Sequence, residues 1–349
     1  MRVLITGHKG YIGTVMVPIM MKAGFDVVGM DSDLYRRCTF NNGMMDIPGI
    51  EKDIRDATVQ DLKGFDAVCH LAALSNDPLG NLNPEITYDI NFRGTVHLAE
   101  VARAAGVRRF VFSSSCSNYG SAGDNLVTED APMEAVTPYG VSKVKSEKAL
   151  AELADRNFVP VFLRNATAYG LSPRHRFDIV LNNLTAWAYA TGRVYLKSDG
   201  TPWRPIVHIA DITQAFMVAL TAPSGVVSGQ AFNIGRQDQN YRIRDIAQIV
   251  QQVVPDCRIE YAPDAGPDTR CYRVDFSKAA RLLSKYQPEW TARRGAEELY
   301  DAYRRVGLKV EEFEGARFNR IDHIKKLLGE GLLDETLRWT GKASAGPVS

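Results

Sequence analysis

The chain has 349 residues, of which 45% are apolar and 24% are charged, and its formal net charge is +1. At roughly 100–200 residues per domain, this length predicts two lobes or one large α/β unit with a sizeable core. The balanced charge excludes a global attraction to nucleic acid or to an anionic membrane, so local groups would have to hold any acidic ligand.

Five cysteines are scattered along the chain without C-x-x-C spacing: Cys38, Cys69, Cys116, Cys257 and Cys271. Their odd number and irregular spacing argue against a metal site and against a disulfide framework, and they favour a cytoplasmic protein. The first residues lead directly into a strand and a glycine turn, without the apolar core of a signal peptide. No apolar run reaches the roughly 20 residues of a membrane helix.

The first half of the chain alternates short apolar strands with amphipathic helices. Strands are predicted at Arg2–Thr6, Asp26–Met30, Ala67–Leu71, Phe110–Phe112 and Val159–Leu163. Helices are predicted at Val15–Ala23, Ile86–Ala105 and Gly140–Ala154. This alternation is typical of a parallel sheet covered on both faces.

The second half is less regular and predicts a smaller α+β lobe, with a charged helical tail from Thr291 that we interpret as structural. The predicted fold is therefore α/β, with a Rossmann-type doubly wound parallel sheet and a smaller C-terminal α+β lobe. The first lobe would comprise residues 1–168 with a returning segment near 206–235. The second would comprise residues 169–205 and 236–349.

A glycine turn follows the first predicted strand. Gly7, Gly10 and Gly13 form G-x-x-G-x-x-G, which lets backbone N–H groups at a helix start approach a pyrophosphate. Asp31 ends the next strand, where a carboxylate chelates a free ribose diol and repels a 2′-phosphate. These features predict NAD as the cofactor, while the nearby Arg36 and Arg37 leave NADP open.

Tyr139 and Lys143 form the spacing Y-x-x-x-K on one face of a predicted helix. A nearby ammonium lowers the pKa of a phenol from its normal value of about 10, so that the phenolate can exchange a hydroxyl proton near neutral pH. Such a pair is also common on solvated helices. The serine run Ser113–Ser115, at the end of a predicted parallel strand, favours the catalytic interpretation, because ligands gather at these strand ends.

With these motifs in place, the sequence resembles the extended short-chain dehydrogenases/reductases of the nucleotide-sugar epimerase and dehydratase family. The matching stretches run over most of residues 1–280 and include TGHKGYIG, Asp31, Asp53-Ile54, His70 to Ala73, Asn91 to Thr95, VFSSSCSNYG, PYGVSK, Arg204 to His208 with Asp211, and Asp268 to Lys278. The resemblance implies that the first lobe binds NAD and that the second lobe binds a nucleotide sugar.

The resemblance also implies a role for individual residues. The cofactor residues would be Gly7, Gly10, Tyr11, Ile12, Gly13, Asp31, Asp53, Ile54, Leu71, Ala72, Ala73, Asn91, Ser113, Tyr139 and Lys143. The catalytic residues would be Ser115, Tyr139 and Lys143. The substrate residues would be Ser115, Cys116, Ser117, Thr167, Arg174, Arg176, Asn183, Arg204 and Arg270. Within that last set, Asn183, Arg204 and Arg270 would grip the diphosphate of the nucleotide sugar, whereas Arg174 and Arg176 are equally well explained as solvated loop charges.

Two departures from the family pattern narrow the reaction. Cys116 and Ser117 stand where the dehydratase branch has an Asp-Glu pair, so that elimination of water lacks its acid and base. Cys116 is either an acid/base group or a buried thiol. Thr167 replaces a common asparagine, and the usual arginine is missing from Ala265–Asp268, so substrate contacts should differ from those of the common 4-epimerase. His70 and His208 are expected to be packed and hydrogen-bonded.

The leading hypothesis is an NAD-dependent nucleotide-sugar epimerase that acts at C4 through a 4-keto intermediate. An NAD(P)-dependent ketoreductase or dehydrogenase of a related sugar would use the same residues. A non-catalytic NAD-binding sensor is the third hypothesis, although it would not need Ser115, Tyr139 and Lys143 together. The resemblance implies a homodimer, formed through the helices at Ile86–Ala105 and Gly140–Ala154.

Overall fold

The structure is a computed structural model, and it describes residues 1–40, 43–75, 83–121, 123, 125–266 and 271–341. Strands in chain order are β1 Arg2–Thr6, β2 Asp26–Asp31, β3 Gly49–Glu51, β4 Ala67–His70, β5 Arg109–Ser115, β6 Leu126–Val127, β7 Val159–Asn165, β8 Thr167–Tyr169, β9 Arg193–Ser198, β10 Trp203–His208, β11 Gln230–Ile234, β12 Asn240–Arg242, β13 Arg258–Gly266 and β14 Arg273–Val274. Helices are α1 Gly13–Lys22, α2 Val59–Leu62, α3 Pro84–Tyr88, α4 Gly94–Ala104, α5 Pro138–Glu152, α6 Val180–Thr191, α7 Ile209–Thr221, α8 Ser224–Val227, α9 Ile243–Val253, α10 Ser277–Leu282, α11 Ala292–Val306, α12 Val310–Phe313 and α13 Arg320–Gly329.

Seven parallel strands form the main sheet in the spatial order β11-β7-β5-β4-β1-β2-β3. Its central strands are apolar on both faces. In β1, Val3 and Ile5 belong to the core beneath α1 and α7, whereas Leu4 belongs to the core on the opposite face with Leu98 of α4. Because β2 and β4 lie on opposite sides of β1, the strand order reverses at β1. Ligands of open α/β sheets bind beyond the carboxyl ends of the strands at such a reversal. The predicted doubly wound α/β fold is confirmed.

The helix predicted at Ile86–Ala105 begins earlier and is not a single regular α-helix. Asn83 caps its first turn, α3 follows, and a π-helical turn at Asp89–Arg93 leads into α4. The extra residue in such a turn changes which side chains point inward. Here Asn91 points toward Leu74, accepting from its backbone N–H at 2.8 Å and donating to its carbonyl at 3.0 Å.

The second lobe is the expected smaller α+β unit. It contains a three-stranded sheet in the order β12-β10-β8 and a parallel pair of β9 with β13, packed against α6, α9 and α11. The chain returns to the first lobe through α7, which packs on α1, and β11, which pairs with β7. Within the described residues, the helices are all too short or too polar to cross a lipid bilayer.

The C-terminal segment, defined here as Arg320–Gly341, packs against the first lobe. Its apolar residues form a separate cluster with Leu74 and Ile90. His323 lies 3.1 Å from the carbonyl of Leu34 through Nε2, and the indole N–H of Trp339 donates to the carbonyl of Ser32 at 2.5 Å. The sequence predicted only that this tail is structural, and its position beside the loop after β2 comes from the structure. The predicted lobe boundaries stay a prediction.

Candidate functional site

A cleft of about 1150 Å³ runs from the carboxyl ends of β1, β2, β4 and β5 to strands β8, β9 and β10 of the second lobe. This exceeds the roughly 300–1,000 Å³ of an ordinary small-molecule site, so the cleft has room for two ligands end to end. Most of the predicted site residues line it: Gly7, Gly10, Tyr11, Ile12, Gly13, Asp31, Asp53, Ile54, Leu71, Ala72, Ala73, Ser113, Ser115, Ser117, Tyr139, Lys143, Thr167, Arg176, Asn183 and Arg204.

The glycine turn has no space for side chains. Gly7 has a φ of +74°, and a Cβ there would come within 2.7 Å of the backbone nitrogen of Ala72. A Cβ at Gly13 would come within 2.3 Å of the carbonyl oxygen of Gly7. The turn therefore packs directly on the loop after β4, and α1 begins immediately behind it. Such a turn at a helix start suits the pyrophosphate of a dinucleotide.

Asp31 lies at the end of β2 with its carboxylate held by the backbone. The oxygens accept from the N–H of Lys9 at 2.9 Å and of Asp33 at 2.7 Å. Burial raises the pKa of this carboxyl group. The two arginines that left NADP open both contact other groups: Arg36 stacks on Trp339 at 3.7 Å, and Arg37 pairs with Glu330 at 2.9 Å. Neither lines the cleft, so the local arrangement suits a free ribose diol.

Tyr139 and Lys143 lie on the first turns of α5. Pro138 occupies the first helical position, and the Thr137 hydroxyl accepts from the backbone N–H of Gly140 at 3.2 Å, so the helix begins before the predicted Gly140. Lys143 Nζ lies 5.7 Å from the centre of the Tyr139 ring and donates to the carbonyl of Ser113 at 2.7 Å. Burial lowers the pKa of Lys143 to about 7. The phenol of Tyr139 therefore shares the cleft with an ammonium group that can lose its proton near neutral pH.

Ser115 ends β5 beside this pair. Its Oγ accepts from the backbone N–H of Ser117 at 3.1 Å and from the Ser117 hydroxyl at 2.9 Å. Because Ser115 Oγ accepts both of these hydrogen bonds, its own O–H can donate to a substrate oxygen in the cleft. The residues can therefore both remove a proton from a substrate hydroxyl and hydrogen-bond the oxygen that results.

A buried ion pair behind the serines was missed by sequence reasoning. Glu147, one turn after Lys143 on α5, pairs with Arg164 of β7 at 2.7 Å, and the two side chains are 4% and 6% exposed. Glu147 also accepts from Ser114, and Arg164 donates to the Tyr119 hydroxyl at 3.0 Å. The pair joins α5 to the ends of β5 and β7. The i, i+4 spacing from Lys143 was the available signal.

Asn165 at the end of β7 was also missed. Its Nδ2 donates to Ser113 Oγ at 3.1 Å and to the carbonyl of Ser114 at 3.3 Å, and the residue lines the cleft. Among the described residues its buried Oδ1 has no hydrogen-bond partner. The side-chain amide of Asn165 therefore lies at the cleft, two residues before Thr167 in the sequence. The signal was its place at the carboxyl end of a parallel strand.

Three residues that were predicted to contact the cofactor or the substrate do not line the cleft, and the structure corrects these predictions. Cys116 is fully buried and donates to the carbonyl of Arg164 at 3.1 Å, and burial raises its thiol pKa, so it is a packed thiol. Arg174 is neither a solvated charge nor a cleft residue, because it is buried in an ion pair with Asp33 at 2.8 Å. Asn91 holds the backbone of Leu74 and is not a cleft residue.

Arg270, predicted to grip the substrate diphosphate, lies outside the described residues. The two histidines are packed as expected. His70 has ring nitrogens 2.6 and 2.8 Å from the hydroxyls of Thr6 and Thr95, and burial lowers its pKa to about 3. His208 stacks on Trp290 at 3.7 Å.

Comparison with known proteins gives a consistent family. Residues 3–235 match the model of the NAD dependent epimerase/dehydratase family. A UDP-glucose 4-epimerase of Bacillus subtilis (strain 168) is 28% identical over 347 residues, covering 90% of this chain and 100% of that protein. A UDP-glucose 4-epimerase of Neisseria gonorrhoeae is 29% identical over 338 residues, covering 86% and 96%.

Solved structures agree with this. UDP-glucuronic acid 4-epimerase from Bacillus cereus, in complex with UDP-glucuronic acid and NAD, is 26% identical with a TM-score of 0.73, covering 88% of this chain and 100% of that chain. The dTDP-glucose 4,6-dehydratase from Streptomyces venezuelae is 24% identical with a TM-score of 0.74, covering 89% and 100%, and shows the shared fold alone. Since the family match spans about two thirds of the sequence and the fold agrees with it, this chain belongs to the NAD dependent epimerase/dehydratase family and is an NAD-dependent enzyme.

Proposed function

We propose that the protein is an NAD-dependent nucleotide-sugar epimerase that acts at C4. The observation that carries the proposal is that Ser115, Tyr139 and Lys143 open onto one cleft that Asn183 and Arg204 of the second lobe also line. The relatives named UDP-glucose 4-epimerase support the reaction type. The neighbour bound to UDP-glucuronic acid supports the class of substrate.

The cofactor, when bound, accepts a hydride from a carbinol carbon and can return it to the resulting ketone. Tyr139 takes the proton of the sugar hydroxyl while Ser115 donates a hydrogen bond to the same oxygen. Lys143, held at the Ser113 carbonyl, places positive charge beside the phenol and so favours the phenolate. The proton returns from Tyr139 when the ketone is reduced from its other face, so the overall reaction needs no external reductant.

The second lobe provides the substrate end of the cleft. Arg204 on β10 is buried, and its guanidinium lies 5.8 Å from the centre of the Tyr272 ring. Asn183 on α6 lines the same region. A guanidinium and an amide donor together suit a diphosphate, which supports Asn183 and Arg204 as the residues that hold the nucleotide sugar.

Dehydration is disfavoured by the same geometry. The positions of the dehydratase acid pair hold the buried thiol of Cys116 and the hydroxyl of Ser117, which donates to Ser115. Neither group is a carboxyl acid able to protonate a leaving hydroxyl near neutral pH. The remaining alternative is a ketoreductase, which would use the same catalytic residues but would consume reduced cofactor.

The test is turnover without added cofactor. Purified protein is incubated with UDP-, dTDP-, GDP- and CDP-sugars, including UDP-glucose and UDP-glucuronic acid, and products are identified by NMR. We expect interconversion of C4 epimers, with a deuterium label at C4 retained in the product because the hydride returns to the same carbon. Conversion only when NADH or NADPH is supplied and consumed would establish the ketoreductase instead. The absence of any reaction would leave the NAD-binding sensor.

We also propose a cytoplasmic homodimer built on the outer faces of α3, α4 and α5. Tyr88 and Phe92 are half-buried there, and the exposed Lys145 lies over both rings at 4.9 and 5.8 Å. Aromatic residues are enriched at protein interfaces, which supports this face as the contact surface. Light scattering of the intact protein should give a dimer mass, and Phe92→Glu should shift it to the monomer. A monomeric wild-type protein would contradict this proposal.

A further inference from the structure

One side chain of the C-terminal segment reaches the cleft. Arg320, the first residue of α13, is only 9% exposed and lines the cleft from the cofactor side. Its Nη1 lies 3.4 Å from Ser75 Oγ, and its guanidinium lies 4.2 Å from the centre of the Tyr35 ring. These contacts hold the cation in place without neutralising it.

Arg320 has no ion-pair partner in the part of the chain that the structure describes. No aspartate or glutamate oxygen among those residues lies within 4.0 Å of its nitrogens. The neighbouring cation Arg176 differs, because it pairs with Asp178 at 2.6 Å. Burial, and secondly the charge of Arg176, lower the pKa of Arg320, and they outweigh the opposite effect of Asp178. An unpaired buried cation is costly, so its presence beside a cleft points to an anion that arrives with a ligand.

The position of Arg320 indicates which kind of anion this is. Tyr35 follows Asp31 by four residues, and Ser75 follows Ala73 by two, so the cation lies beside two loops that carry residues assigned to the cofactor. Ser75 also accepts from Arg176, which was assigned to the substrate, at 3.3 Å. Guanidinium groups bind phosphate oxygens with charge-assisted hydrogen bonds. Resting on the proposed function, which supplies two diphosphates to this cleft, we propose that Arg320 is the counter-cation of a bound diphosphate, and that the C-terminal segment thereby forms part of the binding site.

The location favours the dinucleotide as the source of that diphosphate. Asn183 and Arg204, which suit the nucleotide sugar, belong to α6 and β10 of the second lobe, whereas Tyr35 and Ser75 follow β2 and β4 of the first lobe. The rest of the C-terminal segment covers the same cofactor side, where Trp339 bonds the carbonyl of Ser32 and Arg338 pairs with Asp56 at 3.0 Å.

The test compares Arg320→Met with Lys325→Met, a control on the exposed face of the same helix. Each NAD-free protein is titrated by calorimetry with NAD, ADP, adenosine and UDP. In Arg320→Met we expect NAD and ADP to bind at least roughly tenfold more weakly, because a charge-assisted hydrogen bond is lost. Adenosine, which has no phosphate, should bind as it does to the wild type. The Lys325→Met protein should bind all four ligands normally.

The arms of the titration separate the two sources. Weaker binding of UDP, with NAD and ADP unchanged, would support the diphosphate role and assign it to the substrate. Unchanged binding of all four ligands would overturn the proposal. Thermal unfolding of the NAD-free variants excludes misfolding, since removal of an unpaired buried cation should not lower the melting temperature, and Arg320→Lys should restore part of the lost affinity. Because no turnover is measured, failure of the epimerase assay would leave this result intact.

Discussion

Lys143 places its ammonium where the surrounding protein disfavours charge. The side chain is buried, and desolvation lowers its pKa to about 7, compared with about 10.4 for a lysine in the unfolded chain. Between these two values the unfolded state binds more protons than the folded state, so the stability of the fold rises with pH through this window. Below pH 7 both states are protonated, and the full cost of the buried charge remains.

A Lys143→Met variant should lack this pH dependence. From pH 7 to pH 10, the free energy of unfolding of the NAD-free wild type should gain more than about 1 kcal/mol relative to the variant. Urea denaturation at pH 7, 8.5 and 10 measures the difference. Lys145→Met, which changes an exposed lysine two residues away, should follow the wild type. A constant difference between wild type and Lys143→Met would show that the buried lysine does not titrate in this range.

Removal of the phenol alone should separate chemistry from cofactor binding. Tyr139→Phe should still bind NAD but lose about 10²–10⁴-fold in turnover, the usual contribution of a general acid–base group. Calorimetry gives the affinity, and epimer formation followed by NMR gives kcat. Tyr261→Phe, at a tyrosine that is 49% exposed, is the matched control. Normal turnover in Tyr139→Phe would rule out the proton transfer assigned to this residue.

At the scale of elements, the ends of β5 and β7 are tied to α5 by the Glu147–Arg164 pair. Removal of one member leaves the other buried and unpaired. We expect Glu147→Gln to lower the free energy of unfolding by about 3–5 kcal/mol. The exposed pair Arg103–Asp155, whose bond is 2.6 Å, serves as the comparison, and Arg103→Ala should cost less than about 1 kcal/mol.

Urea denaturation of both variants measures this contrast. If both variants lost a similar free energy of unfolding, burial would add nothing to the strength of the Glu147–Arg164 pair. The same pair orders the strand end that presents Ser113 and Ser115, because Glu147 accepts from the intervening Ser114. Loss of catalytic rate in Glu147→Gln would therefore act through position, since Glu147 does not line the cleft.

At the scale of the whole molecule, the first lobe and the C-terminal segment line the same cleft. The C-terminal segment contacts the loop after β2 through His323 and Trp339, and α13 contributes Arg320. If both of these parts contact a bound ligand, binding at the glycine turn should also stabilise the C-terminal segment. This coupling follows from the proposed role of Arg320 and can be measured without turnover.

Hydrogen exchange tests that coupling directly. Addition of NAD should slow amide exchange in residues 320–339 as well as in the glycine turn at Gly7–Gly13, because both would contact the cofactor. The helix α10, whose residues do not line the cleft, should exchange at the same rate with and without NAD. Protection of the glycine turn without protection of residues 320–339 would contradict a role for the C-terminal segment in the cofactor site.

The sequence by itself determined the features that depend on residues close together in the chain. The glycine turn, Asp31 at the end of the following strand, and the four-residue spacing of Tyr139 and Lys143 all follow from local backbone requirements and helix periodicity. These were enough to predict the doubly wound fold, and the comparisons confirm the family and its cofactor.

Only the tertiary structure decided which distant side chains meet. Ser75 and Arg320 are 245 residues apart in the sequence, and Glu147 on α5 pairs with Arg164 on β7. Cys116 and Arg174 are likewise buried outside the cleft, where Cys116 donates to the carbonyl of Arg164 and Arg174 pairs with Asp33. Contacts of this kind depend on how the elements pack and on which charges find a partner within the core, and no spacing along the chain encodes that outcome.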